Sequence, residues 1–597
     1  MKLAATTPPN KGYVLDYVVL NTDQSNYTFK ADEGYRVKGL YSLAGVITFE
    51  GGTVIKCNQE GQINIDSSGT IICKTSAYRP TVFTSNNDDG IGAPGFWVDY
   101  PDTDDPYYTG TPSLGDVNTF LNISCSNPVL RNMRFGYANQ AITVNGSAGN
   151  IDLWDCQFMN INNGVWATDV NVGLHNVLIN ETASDYPIKL FSSGNLATEN
   201  VTCDGFGSGN GVVYLANPGS QTAMLTNTIV TAGQYISVNG GSFVPSAEPF
   251  YQVVGGGRYY LTNNSPYRNA GTTNISPALL AELRQKTTFP PLEPYLNTTI
   301  STNTTLSPQA ERDTDIPDLG YHYDPLDYVF GGCDLTANLT LTAGTAVGFY
   351  DEYGAQWYAH GLALSDGANL TINGTASAPC WMARYDNVQE GGNGNWPITP
   401  YQGIIVFNGS GATPLPQLNA SFSKWPAMYA SECHFQDAWT TGVGRFNSCE
   451  FFGVGIGSYQ TSYYFTNCLF FRVNMAYWSQ VDAANFTYQN CTFFDGFLGM
   501  IRNSWQSPSF WTIKNTMFDG TAFLTVDDWG GATDSTFFDY NAYNTNNTSW
   551  ATYNTPYWSD PALETIGAHD AVITNVFTWQ SGCLGNFYQP TNSMLIN

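Results

Sequence analysis

Charged side chains make up only 12% of the 597 residues, and the shortage is greatest on the cationic side. Lys and Arg number 22 against 49 Asp and Glu, a formal net charge of −27. Such a surface repels polyanions, which argues against nucleic acid or an anionic membrane as partner. A polyuronate would meet the same repulsion unless a metal ion intervened. No apolar run reaches the roughly 18 residues that suggest a membrane-spanning helix, and the opening MKLAATTPPN lacks the apolar stretch of a signal peptide. Histidine is rare, at five residues, and none stands at a spacing that builds a catalytic triad. CxxC and mixed Cys/His spacings are absent, so structural zinc is not expected. Strong helix formers are sparse, while Gly (59), Asn and Thr are abundant, a composition suited to strands and bends.

What the chain does contain is a recurring phrase: ENVTCDG at 199–205, TNCLFF at 466–471, QNCTFFDG at 489–496 and KNTMFDG at 514–520. Within QNCTFFDG, Cys491 and Phe493 share one face of a strand, with Asn490 at its entrance. The Asn, or an Asp in its place, falls at 132, 155, 176, 200 and 227, then at 467, 490, 515, 534 and 575, at intervals mostly of 19 to 27 residues. That length suits one turn of three short strands and three bends. The fold expected is therefore all-β, a right-handed parallel β-helix solenoid in two related stacks. Coils rise about 4.8 Å apart, so Asn176 should lie between Asp155 and Asn200 in an internal amide ladder. An antiparallel sandwich would predict hairpins, and it gives no reason for a phrase repeated at coil length.

The 12 cysteines would permit disulfides, and Cys57 with Cys73 or Cys333 with Cys380 are the candidate pairs. Cys433, Cys449, Cys468 and Cys491 each precede an apolar residue at i+2, which favours a stack of small buried thiols. GTVI at 52–55 is echoed by GTAV at 344–347, and YYLTNNSPYRN at 259–269 by the closing FYQPTNSMLIN. This gives residues 1–39 as an N-terminal extension or cap, 40–273 as a first module, 274–332 as a short helix and acidic connector, and 333–597 as a second module. In the connector, Ser276 is the expected N-cap, Pro277 fits the first helical position, and Leu279, Leu280 and Leu283 share a face that would cap or brace the first stack.

Three groups could carry chemistry. Asp313, Asp315, Asp318 and Asp324 offer alternating oxygen donors of the kind Ca²⁺ requires, and otherwise form a solvated acidic linker. DYPDTDDP at 99–106 is a second acidic loop of the same kind. Asp495, Asp519 and Asp539 should fall along one outer edge, with carboxylates two coils apart separated by about 9.6 Å, at the limit for an inverting glycosidase. Arg502 and Lys514 are the bases nearest to them in sequence, while turn chemistry alone also explains Asp before Gly at 495–496 and 519–520. Trp439, Trp478, Trp505 and Trp529 could form an external ladder of indole faces, suited to a sugar polymer or to another protein.

The NC.F coils and the paired GTVIK and GTAVG openings resemble the right-handed parallel β-helix, pectin-lyase-like superfamily, over about residues 40–270 and 333–597. SPYRNAG and DTDIPDLGYHYDPLDY are similar to segments of large bacterial secreted or surface β-helix proteins. DTDIPD also resembles part of the calcium loop of thrombospondin type 3 and dockerin-like repeats, without its usual Gly. The superfamily includes lyases, polygalacturonases, tailspikes and adhesins. A polygalacturonase pattern would need NTD, DD, GHG and RIK on adjacent coils. Here Asp527-Asp528 and Thr512-Ile513-Lys514 stand without NTD or GHG partners, and His360-Gly361 lies far upstream. The expected function is an extracellular or cell-surface structural or adhesive protein, self-associating or glycan-binding. The final MLIN would leave a coil face for a partner to cover. The alternative is a polysaccharide lyase or glycoside hydrolase acting along the second stack.

Overall fold

The computed structural model describes residues 18–92, 109–146, 149–180, 186–204, 211–231, 239–244, 250–350, 352–353, 359–391, 403–427, 433–437, 440–458, 460–479, 484–502, 510–527, 535–544, 567–573, 577–582, 585–591, 593 and 595. They form two parallel β-helical stacks. In the second, consecutive strands take turns among three sheets of 11, 9 and 9 strands. Ser423–Trp425, Glu450–Phe452, Leu469–Phe471, Thr492–Phe494 and Met517–Asp519 are successive parallel neighbours in one of them. The first stack has sheets of 12 and 8 strands and a short one of 3. Among the described residues its strands begin at Val18–Leu20, and those of the second at Leu292–Leu296, ahead of the expected openings at 40 and 333.

In-register parallel strands place equivalent side chains one above another, so a repeated Phe becomes a column. Phe451, Phe470, Phe493 and Phe518 are all buried, with ring centroids 5.2, 4.5 and 4.9 Å apart, and Tyr543 continues the column at 5.4 Å. Phe83, Phe135 and Phe158 do the same in the first stack, at 5.0 and 5.1 Å. Cys449, Cys468 and Cys491 are buried free thiols on successive coils, each donating to a backbone carbonyl of the preceding coil, Ala420, Phe446 and Phe465. Cys433 does not belong to that row, because it opens a strand of a different sheet, paired with Gly403 and Gly455. Cys57, Cys73, Cys333 and Cys380 are likewise thiols, not disulfides.

The repeated Asn marks a bend whose backbone turns left-handed. Asn132, Asp155, Asn176, Asn200 and Asn227 have φ between 48° and 55°, and Asn467, Asn490 and Asn515 between 51° and 55°. Asn and Asp tolerate this conformation better than other residues with a Cβ. Among the described residues the register extends the second ladder over Phe422, Ser448, Asn467, Asn490, Asn515 and Tyr540, each following a residue of one cross-strand row. Tyr540, at φ 59°, therefore holds the place expected for Asp534; Asp534 and Asn575 lie outside the described residues.

The two stacks lie against each other along a seam rich in tyrosine and buried charge. Tyr78, Tyr260, Tyr321 and Tyr323 cluster there with Ala346, Ala383 and Val388. Arg79 pairs with Asp32 at 2.6 Å and sits over the Phe452 ring at 4.1 Å. Arg472 donates to the Ala31 carbonyl at 2.8 Å and pairs with Glu50 at 3.3 Å.

Candidate functional site

The ladder was expected inside the coil, and the structure corrects this: its amides point outward. In the second stack Asn467, Asn490 and Asn515 are exposed. In the first stack Asn176 and Asn200 are fully buried only because the connector crosses over them. Asn176 clasps one residue of that strap in both senses. Its Nδ2 donates to His322 O at 2.9 Å, and its Oδ1 accepts from His322 N at 2.7 Å. Asn227 does the same with Thr272, at 2.9 and 2.8 Å, and Asn200 Nδ2 donates to Asp318 O at 2.9 Å. Along the ladder, Asn176 donates to Asp155 at 2.8 Å and Asn227 to Asn200 at 3.1 Å.

The helix Pro277–Leu283 belongs to the same strap. It braces the side of the first stack rather than capping its end. Leu279 and Leu283 pack beside Trp154, and Glu282 pairs with Arg131 at 2.6 Å. Ser276 makes no side-chain cap, but its N–H donates to Glu199, whose other oxygen lies 2.8 Å from His175 Nδ1.

The four connector aspartates do not converge on a calcium site. Asp313 and Asp318 come together with His322, their ligand atoms within 4.8 Å of one another, all buried. Asp313 Oδ2 already takes the His322 ring at 2.6 Å and the Asp318 N–H at 2.8 Å. Asp318 takes the Asn269 N–H, the Thr288 hydroxyl and the Arg268 guanidinium. Asp324 pairs with Lys286 at 2.6 Å, and Asp315 is exposed and apart. An imidazole and a guanidinium amid oxygens that already hold protein donors do not fit Ca²⁺, which takes six to eight free oxygens. Carboxylates sustain the cations of this strap: burial alone would lower the Lys286 pKa, but Asp155 and Asp324 outweigh it and hold the ammonium well above its ordinary range.

Among the described residues no strap crosses the second ladder, whose Asn467, Asn490 and Asn515 are exposed. Beside it runs a groove of about 520 Å³ along the seam. Its floor is the outward row Trp381, Lys424, Glu450 and Leu469, in register over four coils. The ladder residues Phe422, Ser448 and Asn467 form one wall, and the hairpin residues Asn586, Phe587 and Tyr588 contribute another. Phe587 is anchored against Phe471 and Phe494, at 5.6 and 5.1 Å, while Tyr588 and Phe422 are 44% and 37% exposed. Phe422 stands at a position where the next four coils carry Ser448, Asn467, Asn490 and Asn515, with φ 48°, a conformation costly for a bulky side chain. The groove's charges are internally paired: Lys424 with Glu450 at 3.1 Å, and Arg79 with Asp32. A surface of aromatic rings and amides, with its charges paired among themselves, results over about four coil rises.

The carboxylates expected to form a catalytic row do not share one register position. Asp495 sits at a bend, with φ 53°, paired with Arg472 at 3.1 Å. Asp519 is buried, accepting from Asn544 and from Trp579 Nε1 at 2.9 and 2.8 Å. Asp539 belongs to another sheet, opposite Lys514, and pairs with His569 at 2.9 Å. Lys514 Nζ lies 4.4 Å over the Phe537 ring. Arg502 is in strand Phe497–Arg502 and Trp478 in Asn474–Ser479, both with side chains outside the described residues. Trp439, Trp505, Trp529 and the loop 99–106 lie wholly outside them. The groove residues escaped the sequence reading because Phe422 carries no Asn to mark its coil. Counting one coil back from Ser448 is the signal that finds it.

No protein-family model matches the chain, and no curated protein is similar to it. A solved structure of a mutant alginate lyase of family PL6, AlyGC, aligns over 88% of this chain and 96% of its own at 9% identity, with a TM-score of 0.18. A likeness at that score carries no argument about chemistry. Among the described residues no helix is long and apolar enough to cross a membrane.

Proposed function

We propose that this is an extracellular or cell-surface adhesive β-helix protein that binds a linear, uncharged polysaccharide in the groove beside its open amide ladder. The observation that carries this reading is the contrast between the two ladders: one is clasped by the chain's own connector, while the other faces a groove walled by Phe422, Phe587 and Tyr588. Coils repeat about every 4.8 Å, close to the length of one pyranose unit, so a sugar chain along the stack would meet equivalent groups once per unit. Amides bond hydroxyls and aromatic rings cover the apolar sugar faces. The self-paired charges favour a neutral polymer over a polyuronate. The test is a polysaccharide array read for both binding and product release, with particle size measured on the same sample. Retention of a neutral glycan that is lost in Phe422→Ala and Asn467→Ala supports the reading. Released products would favour the lyase or hydrolase alternative, and ordered polymers without glycan retention would favour assembly.

A further inference from the structure

A second cleft opens on the seam at the other end of strand Cys380–Arg384 from the groove. It arises from a gap in an outward row. Register aligns Arg36, Lys56, Thr84, Gly136 and Met159 on successive coils of the first stack. At Gly136 the row has no side chain, and a Cβ there would find its nearest neighbours, Met159 O and Thr84 Oγ1, at 3.8 Å. The segment from Tyr385 to Gly391 of the second stack faces the gap without filling it and leaves about 470 Å³. This falls within the range of small-molecule sites.

The walls carry planar polar groups of both signs. Arg134, 4% exposed, donates through Nε to Gln157 at 2.7 Å and through Nη1 to Asp386 O at 2.8 Å; its Nη2 group engages no acceptor among the described residues. Asp88 accepts from Thr84 at 2.6 Å and Gly90 N at 3.0 Å, and Asp386 from Arg384 at 3.2 Å. Carboxylate oxygens accept more than one donor, so both acids retain acceptor capacity. Behind them Lys56 is wholly buried, its Nζ donating to Asp88 O at 2.6 Å, and burial lowers its pKa to about 8. A bare cation entering here would meet the guanidinium, and an anion would meet Asp88, Asp89, Asp386 and Glu390. Hydroxyl groups suit both, accepting from Arg134 and donating to the carboxylates.

We infer that this inter-stack cleft is a separate binding site for a small neutral polyhydroxylated molecule of mono- or disaccharide size, held by Arg134, Asp88 and Asp386. It stands independently of the groove. Calorimetry on the full chain would use glucose, galactose, mannose, N-acetylglucosamine and cellobiose, with glucuronate and glucosamine as charged controls. One of the neutral sugars is expected to bind. Gly136→Leu should fill the cleft and weaken that binding by at least about tenfold, whereas Gly136→Ala and the groove variant Phe422→Ala leave it unchanged. Hydrogen-exchange protection of residues 385–391 by the same sugar reads the site in the unaltered protein, whether or not Gly136→Leu folds. Absence of binding by every neutral sugar would overturn the assignment. So would equal binding by a folded Gly136→Leu, tighter binding of either charged control, or binding without protection at 385–391.

Discussion

Replacing Asn176 with Ala tests the claim that one ladder is occupied and the other open. Asn176 makes three side-chain hydrogen bonds: to Asp155 at 2.8 Å, to His322 O at 2.9 Å and from His322 N at 2.7 Å. At about 1 kcal/mol net for each, these amount to about 3 kcal/mol. Placing Ala at φ 53° adds about 1 kcal/mol. Removing the clasp also strands the buried His322 peptide groups, so about 4 kcal/mol is the expected loss. Asn490 has the same backbone, at φ 54°, but an exposed amide, so Asn490→Ala should cost only the conformational part, about 1 kcal/mol. Asn490→Gly should remove even that. Stacked coils open locally, so native-state hydrogen exchange is the appropriate assay. The His322 amide should lose most of its protection in Asn176→Ala, and amides of the strand Ser462–Thr466 should stay close to wild type in Asn490→Ala. Costs for the two Ala variants within about 1 kcal/mol of each other would refute the reasoning.

Phe493→Ala should cost about 3–5 kcal/mol, because its ring is buried between Phe470 and Phe518, while Thr492→Ala on the same strand should cost little; urea unfolding of the two variants checks this. Stability should fall as pH rises through about 9: burial alone would lower the His175 pKa, but the neighbouring carboxylates, Asp152 at 3.7 Å and Glu199 hydrogen-bonded at 2.8 Å, outweigh it and raise it from 6.5 to about 9. That contribution is complete below pH 6.5 and lost above 9; with solvent screening it amounts to about 1–2 kcal/mol, and His175→Gln should flatten the profile of thermal midpoint against pH. Phe422→Gly should raise the thermal midpoint slightly by relieving the left-handed Phe while abolishing glycan retention, a stability–binding split seen by running both assays on one sample. Chelation with EDTA should leave the thermal midpoint unchanged, since Asp313 and Asp318 hold protein donors where calcium would bind.

The parallel coil, the Phe column and the thiol row were legible in the sequence because a solenoid converts sequence interval into spatial adjacency. Once QNCTFFDG and KNTMFDG are seen to lie one coil apart, Phe493 must stack on Phe518. The Asn at each bend was legible for the same reason, since few residues other than Gly accept its backbone so readily. The interval could not say which way that Asn faces. Its backbone role is satisfied whether the amide points into the coil or out of it, and only the path of the strap over Asn176, Asn200 and Asn227 buries it. The acidic connector shows the same limit. Spacing alone made Asp313, Asp315, Asp318 and Asp324 look like one ligand set, yet Asp324 pairs with Lys286, while Asp313 and Asp318 serve His322 and Arg268. Asp539 departs in the same way, because a shift of a few residues along a coil moves a carboxylate to another sheet, while Asp495 and Asp519 miss a common position by one residue. Local repetition thus determined the coil and what fills it. How the two stacks meet, and therefore where the groove and the cleft open, depends on contacts between residues hundreds of positions apart, for which no repeat exists to be read.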